Sequence, residues 1–375
     1  TLIGLPVTDV DVATTATPEA VIAAVAKAGM KSVPTGVEHG TLTVIANHIP
    51  YEVTTLREDV ETFGRLAKVR FGTDWLKDAS RRDFTINAIY CGAEGSIFDP
   101  LGGAADAVAR RIRFIGSARD RIAEDYLRIL RFFRFYAQYG DGPLDPAELA
   151  ECTAARDGLA QLSPERIATE MGKLLLAPGA EKAIWAMMGH GLLMPTLGAV
   201  PAPRRLARMI ELERRFQIRP FRARRLAALC VQSEEDALRL ADRLRLSNRE
   251  RDELAACAGA ARLPALGADD RTARRHLYNL GVDAWQEAVL HAWSGDGWEE
   301  NAGHWQRLLD LPVRAPVPDF PLQGRDIMVF GVPPGERIGQ LLADAERHWV
   351  EQDFALDRNA LLHFVKSRIE GHSAR

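Results

Sequence analysis

The sequence has little that would suggest a membrane protein or a disulfide-bonded protein. None of its apolar runs approaches the roughly 20 residues that a helix needs to cross a bilayer, so no membrane partner is expected. Its four cysteines are scattered, without the Cys-x-x-Cys spacing that would indicate a zinc site. No secretory signal sequence is recognisable. Reduced thiols without such a signal are typical of cytoplasmic proteins, which is the location we expect.

A strong net charge is also absent, so the overall charge does not indicate a nucleic-acid-binding protein. The formal net charge is −3, but its distribution is uneven. Residues 204–225 set nine arginines against two glutamates, a local excess of about seven positive charges. The nine are Arg204, Arg205, Arg208, Arg214, Arg215, Arg219, Arg222, Arg224 and Arg225. This segment is either a phosphate-binding surface or a solvated helix face in an arginine-rich chain.

Strand-like and helix-like patterns divide the chain into a mixed first part and a helical remainder. Residues 41–46 and 51–55 predict a hairpin, and residues 18–28 predict a helix with Thr17 as its N-cap. After Gly102-Gly103 the strand signal nearly vanishes. The 375 residues suggest two to four domains. We place them at 1–100, 101–185, 186–312 and 313–375, using breaks rich in proline and glycine.

Two aspartates alternate with valines near the start of the chain. A strand over residues 8–14 would place Asp9 and Asp11 side by side on one face, above a buried opposite face. Such a pair suits Mg²⁺, which prefers hard oxygen ligands, although a solvated acidic edge strand is the alternative. Glu52 lies on the second strand of the predicted hairpin. If the two strands are neighbours, three carboxylates converge, as two-metal phosphoryl transfer requires.

A dense polar segment spans residues 78–89. Arg81, Arg82 and Asp83 stand there directly before an apolar stripe. Paired guanidinium groups suit phosphate oxygens, and an aspartate is a natural acceptor for a ribose hydroxyl. The alternative is a helix start with charges in its first turn.

Six strings occur in a fixed order across residues 5–170. They are LPVTDVDVAT (5–14), YEVTTLR (51–57), RRDFTINA (81–88), FDPLGG (98–103), EDYLRILRF (124–132) and LSPERI (162–167). Together they resemble the bacterial tRNA nucleotidyltransferase and poly(A) polymerase family of class II. The resemblance implies an α+β fold, with a small polymerase-β-like nucleotidyltransferase head followed by an elongated all-helical neck, body and tail.

The resemblance also implies roles for residues within these strings. Asp9 and Asp11 look like the metal-binding pair, with Glu52 as the third catalytic carboxylate. Arg82 and Asp83 look like contacts to the nucleotide's phosphate and ribose, so ribonucleotides should be preferred.

In the fifth string, the resemblance implies that Asp125 and Arg128 read the base of the incoming CTP or ATP. A helix through this string would place the two on one face, about 5–6 Å apart at Cβ. One offers acceptors and the other donors, so together they can pair with a base edge. Arg131 and Arg134 continue the stripe toward the triphosphate or the base. A salt bridge on a solvated helix is the alternative interpretation.

One part of the family pattern is missing from the sequence. The glycine-pair segment that precedes the first strand and cradles the triphosphate does not occur, because the match begins only a few residues before Asp9. We therefore expect a head that is truncated at its N-terminus, weak nucleotide binding and poor activity.

The sequence as a whole favours a tRNA nucleotidyltransferase. It would add CCA, or part of it, to tRNA 3′ ends from CTP and ATP with Mg²⁺. Residues 63–75 resemble the CCA-adding branch of the family. A poly(A) polymerase of the same family is one alternative, and a catalytically silent RNA-binding module is another. No His-Asp dipeptide occurs, so the phosphohydrolase domain of some relatives is not expected.

The helical body and tail are the predicted tRNA platform, contacting the RNA backbone. The candidate contacts within residues 204–225 are Arg204, Arg205, Arg208, Arg222, Arg224 and Arg225. The sequence does not indicate an oligomeric state.

Overall fold

The computed structural model describes residues 2–4, 7, 10–63, 66–295 and 298–373. Within these ranges the strands lie before Asp99, and the elements that follow are helical. The strands are β1 Asp11–Thr14, β2 Lys31–Gly36, β3 Thr41–Ala46, β4 Ile49–Thr55, β5 Arg57–Phe63, β6 Leu66–Phe71, β7 Tyr90–Cys91 and β8 Ile97–Phe98. This distribution confirms the predicted loss of strand signal after Gly102-Gly103.

Helices form most of the described chain. They are α1 Pro18–Lys27, α2 Trp75–Ser80, α3 Gly103–Val108, α4 Ala118–Glu124, α5 Leu127–Tyr139, α6 Pro146–Ala154, α7 Pro164–Leu176, α8 Ala180–Gly189, α9 Leu193–Leu197, α10 Pro203–Arg215, α11 Arg222–Cys230, α12 Glu234–Leu244, α13 Asn248–Cys257, α14 Asp270–Leu280, α15 Val282–Trp293, α16 Ala302–Arg314, α17 Gly324–Met328, α18 Glu336–Glu351 and α19 Arg358–Ser373. Among the described residues, no helix has both the length and the apolarity that a bilayer crossing requires.

The main sheet has the strand order β1-β4-β3-β2. Strands β3 and β4 pair in antiparallel fashion and form the predicted hairpin. Asn47 and His48 connect them with φ values of 51° and 66°, the left-handed backbone that a two-residue hairpin turn needs. Strand β1 lies beside β4 and runs parallel to it. The sheet therefore brings the first strand next to the strand that carries Glu52.

Helix α1 covers one face of this sheet. It begins as predicted, with Thr17 accepting a hydrogen bond from the Ala20 N–H and Pro18 in the first turn. Apolar residues one turn apart face the sheet because of the helical period. The cluster they form contains Val21, Val25, Leu42 and Val44. The opposite face of the sheet, which carries Glu52, is left uncovered by α1.

An aromatic core fixes α5 against the segment that follows α2. Phe84 and Phe114 form an isolated antiparallel bridge, and their rings lie 4.9 Å apart. Phe132 of α5 stacks on Phe114 at 5.4 Å, and Phe84, Phe114 and Phe132 are fully buried. Burying aromatic rings contributes strongly to stability. This core holds the two predicted nucleotide-binding strings, RRDFTINA and EDYLRILRF, in one rigid cluster.

The chain divides into two compact units. One comprises residues 1–203 with 242–246, and the other comprises residues 204–241 with 247–375. The second unit has its own apolar clusters, in which Trp285 and Trp293 are fully buried. All predicted catalytic and nucleotide-binding residues fall in the first unit. The division into four domains made from the sequence stays a prediction.

Candidate active site

The register of β1 and β4 brings two predicted catalytic carboxylates together. Asp11 lies directly opposite Glu52 in the parallel pair, so both side chains project from the same face of the sheet. Both residues are exposed. Thr43 of β3 is the next residue in the same row. Asp9 lies outside the described residues, so its predicted place in this row is not part of the structure.

The chemistry of this row fits a hard divalent cation. Two carboxylates on adjacent strands repel each other, and Mg²⁺ would relieve that repulsion while retaining open positions for phosphate oxygens. Within the described ranges, no three His, Cys, Asp or Glu residues are placed to hold a metal ion. Asp11 and Glu52 supply two carboxylates, and Asp9 is the residue predicted to complete the set.

The other face of β1 differs from the sequence-based expectation. Val12 was expected to be buried beneath the carboxylates, but it is 40% exposed. The reason is that β1 is the edge strand of the described sheet, and the cluster under α1 draws its buried residues from β3 instead. The expectation of a buried opposite face is therefore wrong at this position.

A buried carboxylate organises the two arginines of the RRDFTINA string. Asp78 is 1% exposed and accepts hydrogen bonds from Arg81 Nη2 at 2.6 Å, Arg82 Nη2 at 3.2 Å and the Tyr90 hydroxyl at 2.7 Å. Burial alone would raise the pKa of this carboxyl. The positive charges of Arg81 and Arg82 and these hydrogen bonds outweigh burial and hold the pKa below its usual range. Asp78 thus fixes the direction in which Arg82 is presented.

Asp83, the predicted ribose contact, is buried and internally bonded. One carboxylate oxygen accepts from the Phe84 N–H at 3.0 Å and from Asn87 Nδ2 at 2.8 Å. The other oxygen accepts from Arg131 Nε at 2.6 Å. Burial would raise the pKa of Asp83, but the Arg131 charge and the hydrogen bonds hold it below its usual range. The role of Asp83 at a ribose stays a prediction, and its observed contact is to the predicted nucleotide residue Arg131.

The two predicted base-reading residues do not share one helix. Asp125 ends α4 in an extended conformation, with φ −159° and ψ 109°, and α5 begins only at Leu127. The Asp125 carboxylate accepts from the Leu127 N–H at 3.1 Å, and Asp125 itself lies between the two helices rather than within one. The expectation of a continuous helical face is therefore wrong. Arg128 lies in the first turn of α5, whereas Asp125 lies between α4 and α5.

Each of these two residues has its own ion-pair partner. Arg166 of α7 binds Asp125 in bidentate fashion, at 3.2 Å from Nη1 and 2.6 Å from Nη2. Arg128 pairs with Glu124 at the end of α4, and its Nη1 also donates to the Arg121 carbonyl at 2.8 Å. Charge-assisted pairs of this kind restrict side-chain rotation. The acceptor and the donor of the predicted base-reading pair are therefore held by separate supports.

Glu170 links the remaining two predicted nucleotide contacts. It is 6% exposed and accepts from Arg134 Nε at 2.6 Å, while Arg131 Nη1 lies 3.7 Å from its other oxygen. Arg134 also lies over the Phe135 ring at 4.3 Å. Neither Glu170 nor Arg166 is among the site residues predicted from the sequence. Both lie on α7, which begins within the LSPERI string, and their i,i+4 spacing on that helix is the signal that points to them.

A cleft of about 450 Å³ opens between α5 and the start of α7. It is lined by Leu127, Ser163, Glu165, Arg166, Thr169 and Glu170. The cleft thus lies beside the Asp125–Arg166 pair and the carboxylate that holds Arg134. Its wall carries hydrogen-bond acceptors on Glu165 and Glu170 and donors on Arg166.

Comparison with known proteins identifies the family. The model of the poly(A) polymerase head domain matches residues 1–113, and that of the probable RNA- and SrmB-binding site of polymerase A matches residues 143–200. The mitochondrial CCA tRNA nucleotidyltransferase 1 of Mus musculus is 35% identical over 366 residues, covering 97% of this chain and 83% of the relative. The chain belongs to the CCA tRNA nucleotidyltransferase family. The family predicted from the six strings, and nucleotidyltransferase activity with it, are confirmed.

Bacterial members of the CCA tRNA nucleotidyltransferase family agree with this assignment. The CCA-adding enzyme of Streptococcus gordonii is 30% identical over 372 residues, covering 98% of this chain and 90% of the relative. The crystal structure of the Bacillus stearothermophilus CCA-adding enzyme in complex with CTP superposes with a TM-score of 0.74 at 27% identity. That match covers all of this chain and 91% of the other. The predicted α+β fold class is confirmed.

Two of the arginines predicted to bind RNA in this family member are buried. Arg224 is 4% exposed and pairs with Glu213 at 3.0 Å and with Glu287 at 2.5 Å. Arg225 is 6% exposed and pairs with Glu213 at 2.7 Å. Buried charges require such partners, and these guanidinium groups cannot reach an RNA backbone without breaking them. The prediction that Arg224 and Arg225 contact RNA is therefore wrong.

Three further arginines of the predicted RNA-binding set also have partners within the second unit. Arg205 Nη1 donates to the Val231 carbonyl at 2.9 Å, and Arg208 donates to the Gly295 carbonyl. Arg222 pairs with Glu250 at 2.7 Å. These three are only partly exposed, whereas Arg204 is exposed on the first turn of α10. The basic excess of residues 204–225 thus stabilises the second unit as well as presenting charge at its surface.

Proposed function

We propose that this chain adds nucleotides of the CCA sequence to tRNA 3′ ends, using CTP and ATP as substrates. The observation that carries the proposal is the pairing of Asp11 with Glu52 on one open face of the sheet, in a chain of this family. The names of the relatives, and the CTP complex of the similar Bacillus stearothermophilus enzyme, support the choice of substrates. Poly(A) synthesis by the same site is the alternative within the family.

Asp9 and Asp11 are the residues that would hold Mg²⁺, with Glu52 as the third carboxylate on that face. The bound cation would supply the charge that activates the terminal RNA hydroxyl and stabilises the transferred phosphoryl group. The chain's own contribution is geometric. The β1–β4 register fixes the separation of Asp11 and Glu52, and both point toward open solvent, where a triphosphate and an RNA end can approach.

Base selection is proposed to rest on Asp125 and Arg128. Asp125 offers carboxylate oxygens and Arg128 offers N–H donors, and the ion pairs with Arg166 and Glu124 hold both side chains at the start of α5. Preorganised polar groups discriminate best because they do not reorganise when the substrate arrives. The supports leave enough hydrogen-bonding capacity for a base edge, since a carboxylate accepts about four bonds and a guanidinium donates five.

Arg82, Asp83, Arg131 and Arg134 are proposed to serve the sugar and the triphosphate. Asp83 and Arg131 are bonded to each other, so a ribose or phosphate would meet them as a pair rather than as separate contacts. The guanidinium groups of Arg82, Arg131 and Arg134 would offset the negative charge of the triphosphate.

Substituting the paired carboxylates tests the proposed chemistry. Asp11→Asn and Glu52→Gln should each lower kcat for nucleotide addition by about 10²–10⁴-fold, because each removes negative charge from the metal face. Binding of tRNA, measured by filter retention, should be unchanged. Glu38→Gln is the control, since this exposed carboxylate lies in the same unit but off the strands. Unaltered kcat in Asp11→Asn would contradict the proposal.

A further inference from the structure

The guanidinium group of Arg121 on α4 contacts three separate segments of the site. Its Nε donates to the Ile115 carbonyl at 3.1 Å, and its Nη2 donates to the Ser80 carbonyl at 2.6 Å. Its Nη1 donates to the two carboxylate oxygens of Glu124 at 3.1 Å and 3.0 Å. The side chain is 21% exposed, so most of this network is shielded from solvent.

The segments that Arg121 joins are those that carry the predicted nucleotide contacts. Ser80 ends α2, directly before the RRDFTINA string that contains Arg82. Glu124 is the residue that pairs with Arg128. The Arg121 carbonyl also accepts a hydrogen bond from Arg128 at 2.8 Å. Arg128 is therefore bonded to Arg121 through the main chain and, by way of Glu124, through the side chain.

Backbone hydrogen bonds of Ile115 also connect the segment around Asp83 to Arg121. The Ile115 N–H donates to the Asp83 carbonyl at 3.0 Å, and Arg121 donates to the Ile115 carbonyl. The backbone around Asp83 and the backbone before α4 therefore form one hydrogen-bonded unit. The Arg121 side chain connects this hydrogen-bonded backbone to α4.

Only a guanidinium group can make this set of bonds. Its planar fork directs N–H groups along several fixed directions, whereas a lysine ammonium is a single point charge on a flexible stem. Substitution by lysine would keep the charge and lose most of the geometry. Arg119, two residues earlier on the same helix, offers a contrast, because it is 77% exposed and pairs with Glu151 at 3.3 Å.

We propose that Arg121 is a positioning residue for base selection. It fixes the position of Arg128 relative to the segment that carries Arg82 and Asp83. The groups that contact the base are thereby held at a constant distance from those that contact the sugar and the phosphates. This inference rests on the proposed function, in which Arg128 reads the base. We expect loss of the Arg121 guanidinium group to lower the ratio of kcat/KM for the correct base to that for an incorrect base. We expect the protein to remain folded.

Addition of single nucleotides to tRNA lacking its CCA end tests the proposal. kcat and KM are measured separately with CTP and with UTP for wild type, Arg121→Lys and Arg119→Lys. In Arg121→Lys the ratio of kcat/KM for CTP to that for UTP should fall about tenfold or more, with a raised KM for CTP, because a small displacement of a substrate-positioning group has effects of this size. Arg119→Lys should match wild type. An unchanged ratio in a folded Arg121→Lys protein would overturn the proposal.

A double-mutant cycle separates positioning from a general structural role. If Arg121 acts through Arg128, Arg121→Lys should change the CTP-to-UTP ratio little further in an Arg128→Met background. Equal and additive losses in both backgrounds would contradict that coupling. Glu124→Gln removes the shared carboxylate and should reproduce the loss of discrimination if Arg121→Lys proves unstable.

Calorimetric binding of CTP and UTP distinguishes failure of this inference from failure of the proposed function. Absence of nucleotide addition by the wild-type chain would contradict the proposed function. The ratio of the two dissociation constants would still decide the role of Arg121, since a positioning residue changes that ratio and a purely structural residue changes both constants alike.

Discussion

At the scale of single residues, the site balances its buried carboxylates with arginines. Asp78, Asp83 and Glu170 each contact at least one guanidinium group, and the first two have pKa values below the usual range. Breaking one member of such a pair leaves an uncompensated charge, which costs several kcal/mol when it is buried. These carboxylates therefore act as supports for arginines that are predicted to face the nucleotide.

Glu148 on α6 is an exception to this balance. Its Oε1 accepts from the Phe114 N–H at 3.2 Å, while its Oε2 is buried without a hydrogen-bond partner in the described part of the chain. Burial, together with the charge of Asp145, raises the pKa of Glu148 from 4.5 to about 7. The folded state thus binds this proton more tightly than the unfolded state does. The stability contribution of Glu148 is greatest below about pH 4.5 and is lost as the pH rises through about 7.

Glu148→Gln should therefore raise the free energy of unfolding at pH 8 by about 1–3 kcal/mol, because it removes a buried charge that is poorly compensated. At pH 5 the variant and wild type should differ much less. Urea unfolding at both pH values measures the effect. Glu151→Gln, a carboxylate on the same helix that pairs with an exposed arginine, should leave the pH dependence unchanged. The same pH dependence in Glu148→Gln as in wild type would contradict the account.

At the scale of elements, the junction between α4 and α5 depends on close packing against Gly158. This glycine lies in the 3-10 helix Arg156–Gln161, and a Cβ built on it would lie 2.1 Å from the ring of Tyr126. Tyr126 stands between Asp125 and Leu127 at the start of α5. A side chain at position 158 would therefore displace the residue next to the predicted base-reading aspartate.

Gly158→Ala should lower the free energy of unfolding by about 1–3 kcal/mol through overpacking, and it should also raise KM for CTP and ATP. Gly189→Ala is the matched control. No heavy atom lies within 4 Å of a Cβ at that position, so its stability should stay within about 1 kcal/mol of wild type. Denaturant unfolding and steady-state kinetics measure the two effects. Equal behaviour of the two variants would argue against the close contact with Tyr126.

Elements with strong local signals were predictable from the sequence. The β3–β4 hairpin follows from alternation around a short turn, and α1 follows from Thr17 and Pro18. The break at Asp125 was not predicted, because the helical period continues through it. An aspartate can cap a helix or lie inside one, and the periodicity of the surrounding residues does not distinguish the two.

The burial of Arg224 depends on a residue that is distant in the chain. Its partner Glu287 is 63 positions away, so the pair forms only when α11 and α15 pack together. A local excess of positive charge cannot reveal such a partner. The pairing of Asp11 with Glu52 is also non-local, but there the family resemblance supplied the missing information. Sequence patterns therefore suggest candidate site residues, whereas the ion-pair partners of those residues become visible only in the folded structure.

At the scale of the whole molecule, the exposed arginines of the second unit are the remaining candidates for RNA contact. Arg204 and Arg219 are exposed, in contrast to the buried Arg224 and Arg225. Their position in the sequence, rather than an observed contact, supports this role. The predicted four domains and the cytoplasmic location likewise stay predictions, and relatives of this chain include enzymes named as mitochondrial.

Charge reversal tests this surface. Arg204→Glu and Arg219→Glu should weaken tRNA binding, and each should reduce the slope of log Kd against log salt by roughly 1, because each phosphate contact releases about one counterion. Arg239→Glu is the control, since this exposed arginine of the same unit already pairs with Glu235 and Asp236. Salt titrations of tRNA binding provide the measurement. Identical slopes for all three variants would exclude Arg204 and Arg219 from the RNA-binding surface.

Sequencing of RNA 3′ ends distinguishes CCA addition by this chain from poly(A) synthesis and from RNA binding alone. Wild-type chain with Mg²⁺ and equal concentrations of all four nucleotides is incubated with tRNA lacking its CCA end and, separately, with tRNA that already has it. We expect C, C and A in that order on the first RNA, or a defined part of that sequence, and no extension of the second. A run of adenosines on either RNA would establish poly(A) synthesis instead. No extension of the first RNA, despite measurable tRNA binding, would contradict catalysis and leave an RNA-binding protein.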